Sequence, residues 1–172
     1  MKSRLVFRAL AAIALTTLVA GCAAYSWRTR VPPECRTAVV PTFRNATDVT
    51  EFGAVVARQV ARELQREGSY RIASAEDAAL EIQGELVSVA LPVNARDRRT
   101  GARFRENRLE VVARVSFIDR RGGRVLVDGR TYTADALFAG GDDVATLARD
   151  ASGRAADELA RQIVDDARAL KW

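Results

Sequence analysis

The chain contains no histidine. That absence removes the usual general base, the commonest zinc ligand and every Ser-His or Cys-His pairing. Lysine is almost missing as well: Lys2 and Lys171 are the only two, so nearly all the positive charge is carried by arginine. Cysteine occurs only at Cys22 and Cys35, which rules out a small scaffold built on disulfides. The apolar run from Ala9 to Ala20 is too short for a comfortable membrane span and has no stop sequence after it. Gly122-Gly123 and Gly140-Gly141 lack the spacing and the strand–helix context of a phosphate-cradling loop. No residue set for catalysis, metal binding or a cofactor emerges, and the expectation is a non-enzymatic protein without either.

The N-terminal segment is informative. Lys2, Arg4 and Arg8 precede the apolar run, and Leu18-Val19-Ala20-Gly21-Cys22 ends it. Small residues immediately before a cysteine read as a bacterial lipoprotein signal, with residues 1–21 removed and Cys22 acylated on its thiol and new amine. An ordinary signal peptide with an incidental cysteine, or an N-terminal membrane helix, are the alternatives. Cleavage leaves about 150 residues, enough for one domain with a true core. The formal charge of +5 then falls to about +2, too little for a global nucleic-acid footprint. Cys35 becomes a lone thiol, either a buried small apolar residue or a bridge to a partner.

Residues 22–35 read as a lipidated, extended tether, because Pro32-Pro33 disfavour helix. A single domain follows over 36–172. Residues 36–43 form a β-type run in which Pro41 marks an edge or an end. Asp48 is placed to cap a helix running to about Glu67, with Phe52, Val56, Val60 and Leu64 on one side and Gly68 as its left-handed stop. Tyr70-Arg71-Ile72 is a short extended piece. In the strand from Ala79 to about Val93 the apolar parity changes between Leu86 and Val87, which predicts a bulge near Gly84 to Val87. Leu109, Val111, Ala113, Val115 and Phe117 alternate along the next strand, a turn at 119–123 follows, and a further strand runs from Arg124 to about Phe138. Asp142 is placed to cap a final amphipathic helix. The order β-α-β-β-β-α implies an α+β domain: a two-layer sandwich, with two amphipathic helices on one face of a four-stranded mixed sheet.

The strongest local signal for binding is a connection rich in arginine. Arg96, Arg98, Arg99, Arg103 and Arg105, with Arg108 beyond them, face only Asp97 and Glu106. Guanidinium groups grip phosphate in bidentate fashion, yet a solvated loop has the same composition. A location outside the inner membrane makes nucleic acid the least fitting ligand. The acidic pairs Asp142-Asp143 and Asp165-Asp166 suit a helix start and a polar helix side better than a metal. Tyr25 and Trp27 fit either the membrane interface or the domain surface. Val112, Ile118, Leu126 and Tyr132 suggest a partly apolar outer sheet face, suited to a protein interface.

Several segments together resemble the LptE family of lipopolysaccharide-assembly lipoproteins. They are Tyr25 shortly after Cys22, the stretch Val39-Val40-Pro41-Thr42-Phe43-Arg44-Asn45-Ala46-Thr47, and Ala79-Leu80-Glu81-Ile82-Gln83-Gly84-Glu85-Leu86. The resemblance implies an outer-membrane lipoprotein held by its lipid on the periplasmic side, plugging the β-barrel LptD, assisting its assembly and binding lipopolysaccharide. Arg96, Arg98, Arg99, Arg103 and Arg105 would form the matching phosphate-binding loop, whereas residues 139–143 carry no second basic contact. Ala23 is compatible with sorting to the outer membrane. The first half, Thr37 to Leu86, also looks like the N-terminal domain of TolB, an envelope protein-interaction module, and that reading stands as the alternative.

Overall fold

The computed structural model describes residues 31–49, 51–90, 106–139 and 144–172. A single 3₁₀ turn, Pro33–Cys35, leads into β1 (Thr37–Val39); then come β2 (Arg44–Asn45), α1 (Phe52–Glu67), β3 (Arg71–Ile72), β4 (Leu80–Ala90), β5 (Glu106–Asp119), β6 (Arg124–Ala139) and α2 (Val144–Arg168). The result is an α+β fold with a mixed sheet. Its strand order is β3-β1-β4-β5-β6, with β2 also paired to β4. β1 runs parallel to both neighbours and β2 parallel to β4, while β4, β5 and β6 form the expected antiparallel meander.

The four strands expected become six, and two local causes account for the change. Pro41 has no N–H to give to a ladder, so the first run divides into β1 and β2, each pairing with a different part of β4. The short piece at Arg71–Ile72 finds β1 free on its outer side and adds there. The helix start also differs. Asn45 organises a turn instead: its Oδ1 accepts from the Thr47 N–H at 3.0 Å and from the Thr47 hydroxyl, and its Nδ2 donates to the Val49 carbonyl at 2.6 Å. Asp48 is exposed, and the helix begins only after Glu51, which sits at φ 65° with no side-chain cap. The cap proposed at Asp142 lies outside the described residues.

Other expectations hold. Gly68 ends α1 at φ 83° and donates its N–H to the Leu64 carbonyl at 3.1 Å. The register of β4 against β5 shifts between Leu86 and Ser88, so Val87 is the extra residue and turns outward. Two further shifts near Phe117 lie between β5 and β6. There Gly129 takes φ 57°, and its N–H donates to the Ser116 hydroxyl at 2.8 Å.

One buried cluster joins the elements. Val56, Val60 and Leu64 of α1, Leu159 and Ile163 of α2, and the alternate residues Val111, Val115 and Phe117 of β5 all belong to it. Phe43 enters it from the kink between β1 and β2 and is 2% exposed. Its ring fills the space over Gly84, where any Cβ would overlap it, while its carbonyl oxygen lies where a Cβ on Gly53 would have to be. β6 forms one edge of the sheet. Arg154 donates to the Leu137 carbonyl at 2.7 Å and Gln162 to the Thr133 carbonyl at 3.2 Å, so side chains from α2 occupy acceptors that a foreign strand would use.

Gly84→Ala should therefore destabilise the domain by about 3 kcal/mol, the upper range for overpacking, as read from urea unfolding. Combining it with Phe43→Leu should give a loss smaller than the sum of the two. Strict additivity would show that the two residues are not in contact.

Candidate functional site

The sheet has two distinct ends. At one, Ala90 pairs with Glu110 and Glu106 with Ala139. The 91–105 connection therefore leaves and re-enters the sheet there, and the 140–143 connection starts there. At the other end lie Val31, the turn 120–123, Gly68 and the C-terminus. The Arg36 Nε donates to the Val31 carbonyl at 3.1 Å, the Arg120 N–H to the Ala79 carbonyl at 2.9 Å, and the Arg121 guanidinium stands 5.6 Å over the Trp172 ring. β4 alone is 11 residues, so about 35 Å separates the two ends. Arg96, Arg98, Arg99, Arg103, Arg105 and the acylation candidate Cys22 lie outside the described residues, as do Asp142 and Asp143. Arg108 is not part of the loop but of β5, 3.6 Å from the Asp135 carboxylate.

The outer sheet face is more polar than expected. Ion pairs Arg44–Glu85 at 3.1 Å, Arg120–Glu81 and Arg108–Asp135 cross it, and the Ser116 hydroxyl donates to Asp128 at 3.2 Å. Val112, Ile118 and Leu126 are partly buried, and Val87, Val125 and Leu137 are exposed singly among these pairs. Tyr132, expected on this face, instead points into the core at 5% exposure. Its side is set by its pairing with Ala113, which faces the core from β5; the two register shifts before it cancel in parity.

There Tyr132 donates its hydroxyl to Asp166 Oδ2 at 2.6 Å, and the Arg130 guanidinium reaches the same oxygen at 2.6 Å. Partial burial opposes ionisation of Asp166, but the hydrogen bonds from Tyr132 and Arg130 outweigh it and hold the carboxyl below its usual range. Tyr132 is shifted up by burial and then by its carboxylate partner. Asp165 is exposed and meets Arg168 at 3.6 Å, so the second acidic pair divides between two ion-pair networks. No group of three potential metal ligands occurs among the described residues. Cys35 is buried and free, and burial pushes its thiol up despite the nearby Arg121.

A second basic surface was not singled out from the sequence. Arg58, Arg62 and Arg66 stand four residues apart on the exposed side of α1. Their four-residue spacing is itself a sequence signal, sparser than that of the 96–105 connection.

The sequence profile of the lipopolysaccharide-assembly family LptE matches residues 36–167. No curated protein matches the chain in sequence. Solved structures share the fold. A minor lipoprotein from Acinetobacter baumannii aligns with TM-score 0.52 and 14% identity, over 79% of this chain and 96% of that one. A Xanthomonas campestris protein of family DUF330 aligns with TM-score 0.53 and 11% identity, over 75% and 81%. Protein CT253 from Chlamydia trachomatis aligns with TM-score 0.51 and 14% identity, over 77% and 95%.

The depressed Asp166 gives a pH signature. A carboxylate whose folded pKa is lowered contributes stability above its unfolded value, about 4, and loses it as pH falls through the folded value. Tyr132→Phe should cost about 1–3 kcal/mol at neutral pH and distinctly less in acid, as measured by urea unfolding at both. An equal loss in acid would mean that the carboxylate is not the hydroxyl's partner.

Proposed function

The chain belongs to the LptE lipopolysaccharide-assembly family, and on that footing we propose that it is an outer-membrane lipoprotein on the periplasmic side. In this reading Cys22 carries the lipid, and the domain serves as the accessory plug of the lipopolysaccharide translocon. Its surface docks inside the barrel LptD, assists that barrel's assembly and helps deliver lipopolysaccharide to the outer leaflet. The observation that carries the reading is the family match over 36–167 immediately behind a lipobox ending at Cys22. We take the domain as two layers, since both helices share one buried cluster with the inner side of β4, β5 and β6.

The described geometry supports a polarity. The chain emerges at Val31, at the end of the sheet opposite the 91–105 connection. From Cys22 to Val31 an extended tether reaches about 30 Å at most. The lipid thus holds one end of the domain near the membrane, and the arginine-bearing connection springs from the other. Arg96, Arg98, Arg99, Arg103 and Arg105 supply paired N–H donors suited to lipid A phosphates.

A tagged chain solubilised in mild detergent should carry a large outer-membrane barrel with it, and Cys22→Ala should lose both palmitate labelling and part of that yield. Recovery of the acylated chain with no barrel would sink the plug reading. Replacing Arg96, Arg98, Arg99, Arg103 and Arg105 with glutamine should weaken lipopolysaccharide binding at least about tenfold while leaving thermal unfolding unchanged; undiminished binding would remove the loop's role.

A further inference from the structure

The two helices treat their arginines differently. On α2 no two arginines stand three or four residues apart, and Arg161 and Arg168 hold carboxylates. Arg161 meets Glu158 at 2.6 Å, Arg168 meets Asp165 at 3.6 Å and Glu67 at 2.8 Å, and Asp150 precedes Arg154 by four residues. On α1 the positions three and four residues from Arg58 are Ala54, Val55, Ala61 and Arg62; those around Arg62 are Arg58, Gln59, Gln65 and Arg66. None is acidic. The two carboxylates of α1 are already engaged, Glu63 by Arg66 and Glu67 by Arg168. Arg58 and Arg62 are exposed and make no ion pair among the described residues.

Like charges four apart on a helix destabilise it by about 0.2–0.5 kcal/mol a pair. The same chain avoids that cost on α2 and accepts it on α1. Four residues of helix advance about 6 Å and overshoot one turn by about 40°, so Arg58, Arg62 and Arg66 form a gently winding ridge of arginines at that repeat. Alternate residues on one side of a β-strand recur about every 6.7 Å. In a membrane barrel those alternate residues are the ones that face the polar interior. A strand carrying carboxylates at successive inward positions would thus meet two or three members of the ridge almost in register.

We propose that the α1 ridge is a docking surface for an acidic, lumen-facing strand of a β-barrel wall. This deepens the plug reading and rests on it. The ridge supplies the cations and the wall the carboxylates. The pairing is sequestered from bulk water, where ion pairs are stronger than on an open surface. Arg66, held by Glu63, presents the remaining N–H groups of its fork.

The test uses the full, acylated chain recovered with its barrel from mild detergent and then washed at rising salt. Arg58→Gln combined with Arg62→Gln should lower barrel retention at least about tenfold. The same change should leave thermal stability unchanged or slightly raised, because the like-charge contact is gone. Arg161→Gln with Arg168→Gln removes the same charge from arginines that already hold carboxylates, and it should retain the barrel. Wild-type retention by the Arg58/Arg62 variant, or an equal loss in the Arg161/Arg168 variant, overturns the ridge while the plug reading stands. Failure of the unaltered chain to retain a barrel overturns both.

Discussion

The structure depends on one close approach. Phe43 lies in the kink that Pro41 imposes between β1 and β2, its ring over Gly84 and its carbonyl against Gly53. Each glycine does a different job. Gly84 gives up a side chain on the inner side of β4 so that an aromatic ring can occupy that volume, and Gly53 lets the first turn of α1 rest on backbone. The parallel strands, the central strand and the first helix are thereby joined at one point. The separated segments 39–47 and 79–86 are thus the two sides of a single contact.

Much of this was legible from residue patterns. The alternation of Leu109 to Phe117, the stripe on α1, the glycine stop at Gly68 and the parity change at Val87 each report a local rule that tertiary structure did not override. What failed was non-local. The pairing of Arg71–Ile72 depends on β1 having an unoccupied side, and two residues carry no periodicity to announce a strand. The start of α1 departs from the Asp48 cap because Asn45 controls the preceding turn. The side Tyr132 takes is set across the sheet, by its pairing with inward-facing Ala113, and the weak alternation of its own strand does not announce it. The arginine-rich connection and Cys22, both proposed sites, are readable as composition and motif but lie outside the described residues. The Arg130–Tyr132–Asp166 cluster was not readable, since 34 residues separate the tyrosine from the aspartate.

The sheet also shows how the domain avoids unwanted association. β6 is 16 residues long and lies at the edge, a natural template for another strand. Arg154 and Gln162 place donors on its carbonyls from α2, and Asp135 sets a charge beside them. Strand addition there would first have to displace these groups. Contacts with a partner are thus directed away from this backbone edge and toward side-chain surfaces.

Those surfaces are not equivalent electrostatically. On the outer sheet face, cations and carboxylates are matched within the chain, as at Arg44–Glu85 and Arg120–Glu81. Such a face is wettable and indifferent to the sign of what it meets, as the proposed role inside a polar lumen requires. On the exposed side of α1, Arg66 is paired with Glu63, while Arg58 and Arg62 make no ion pair among the described residues. Internal pairing makes a surface tolerant, and unpaired charge makes it selective, because only a partner of opposite sign repays desolvation of the guanidinium groups. The proposed plug role asks for both properties: tolerance over most of the area, to enter a barrel, and selectivity over a small part, to stop in one orientation. In that role the matched outer sheet face would give the tolerance, and Arg58 and Arg62 of α1 the selectivity.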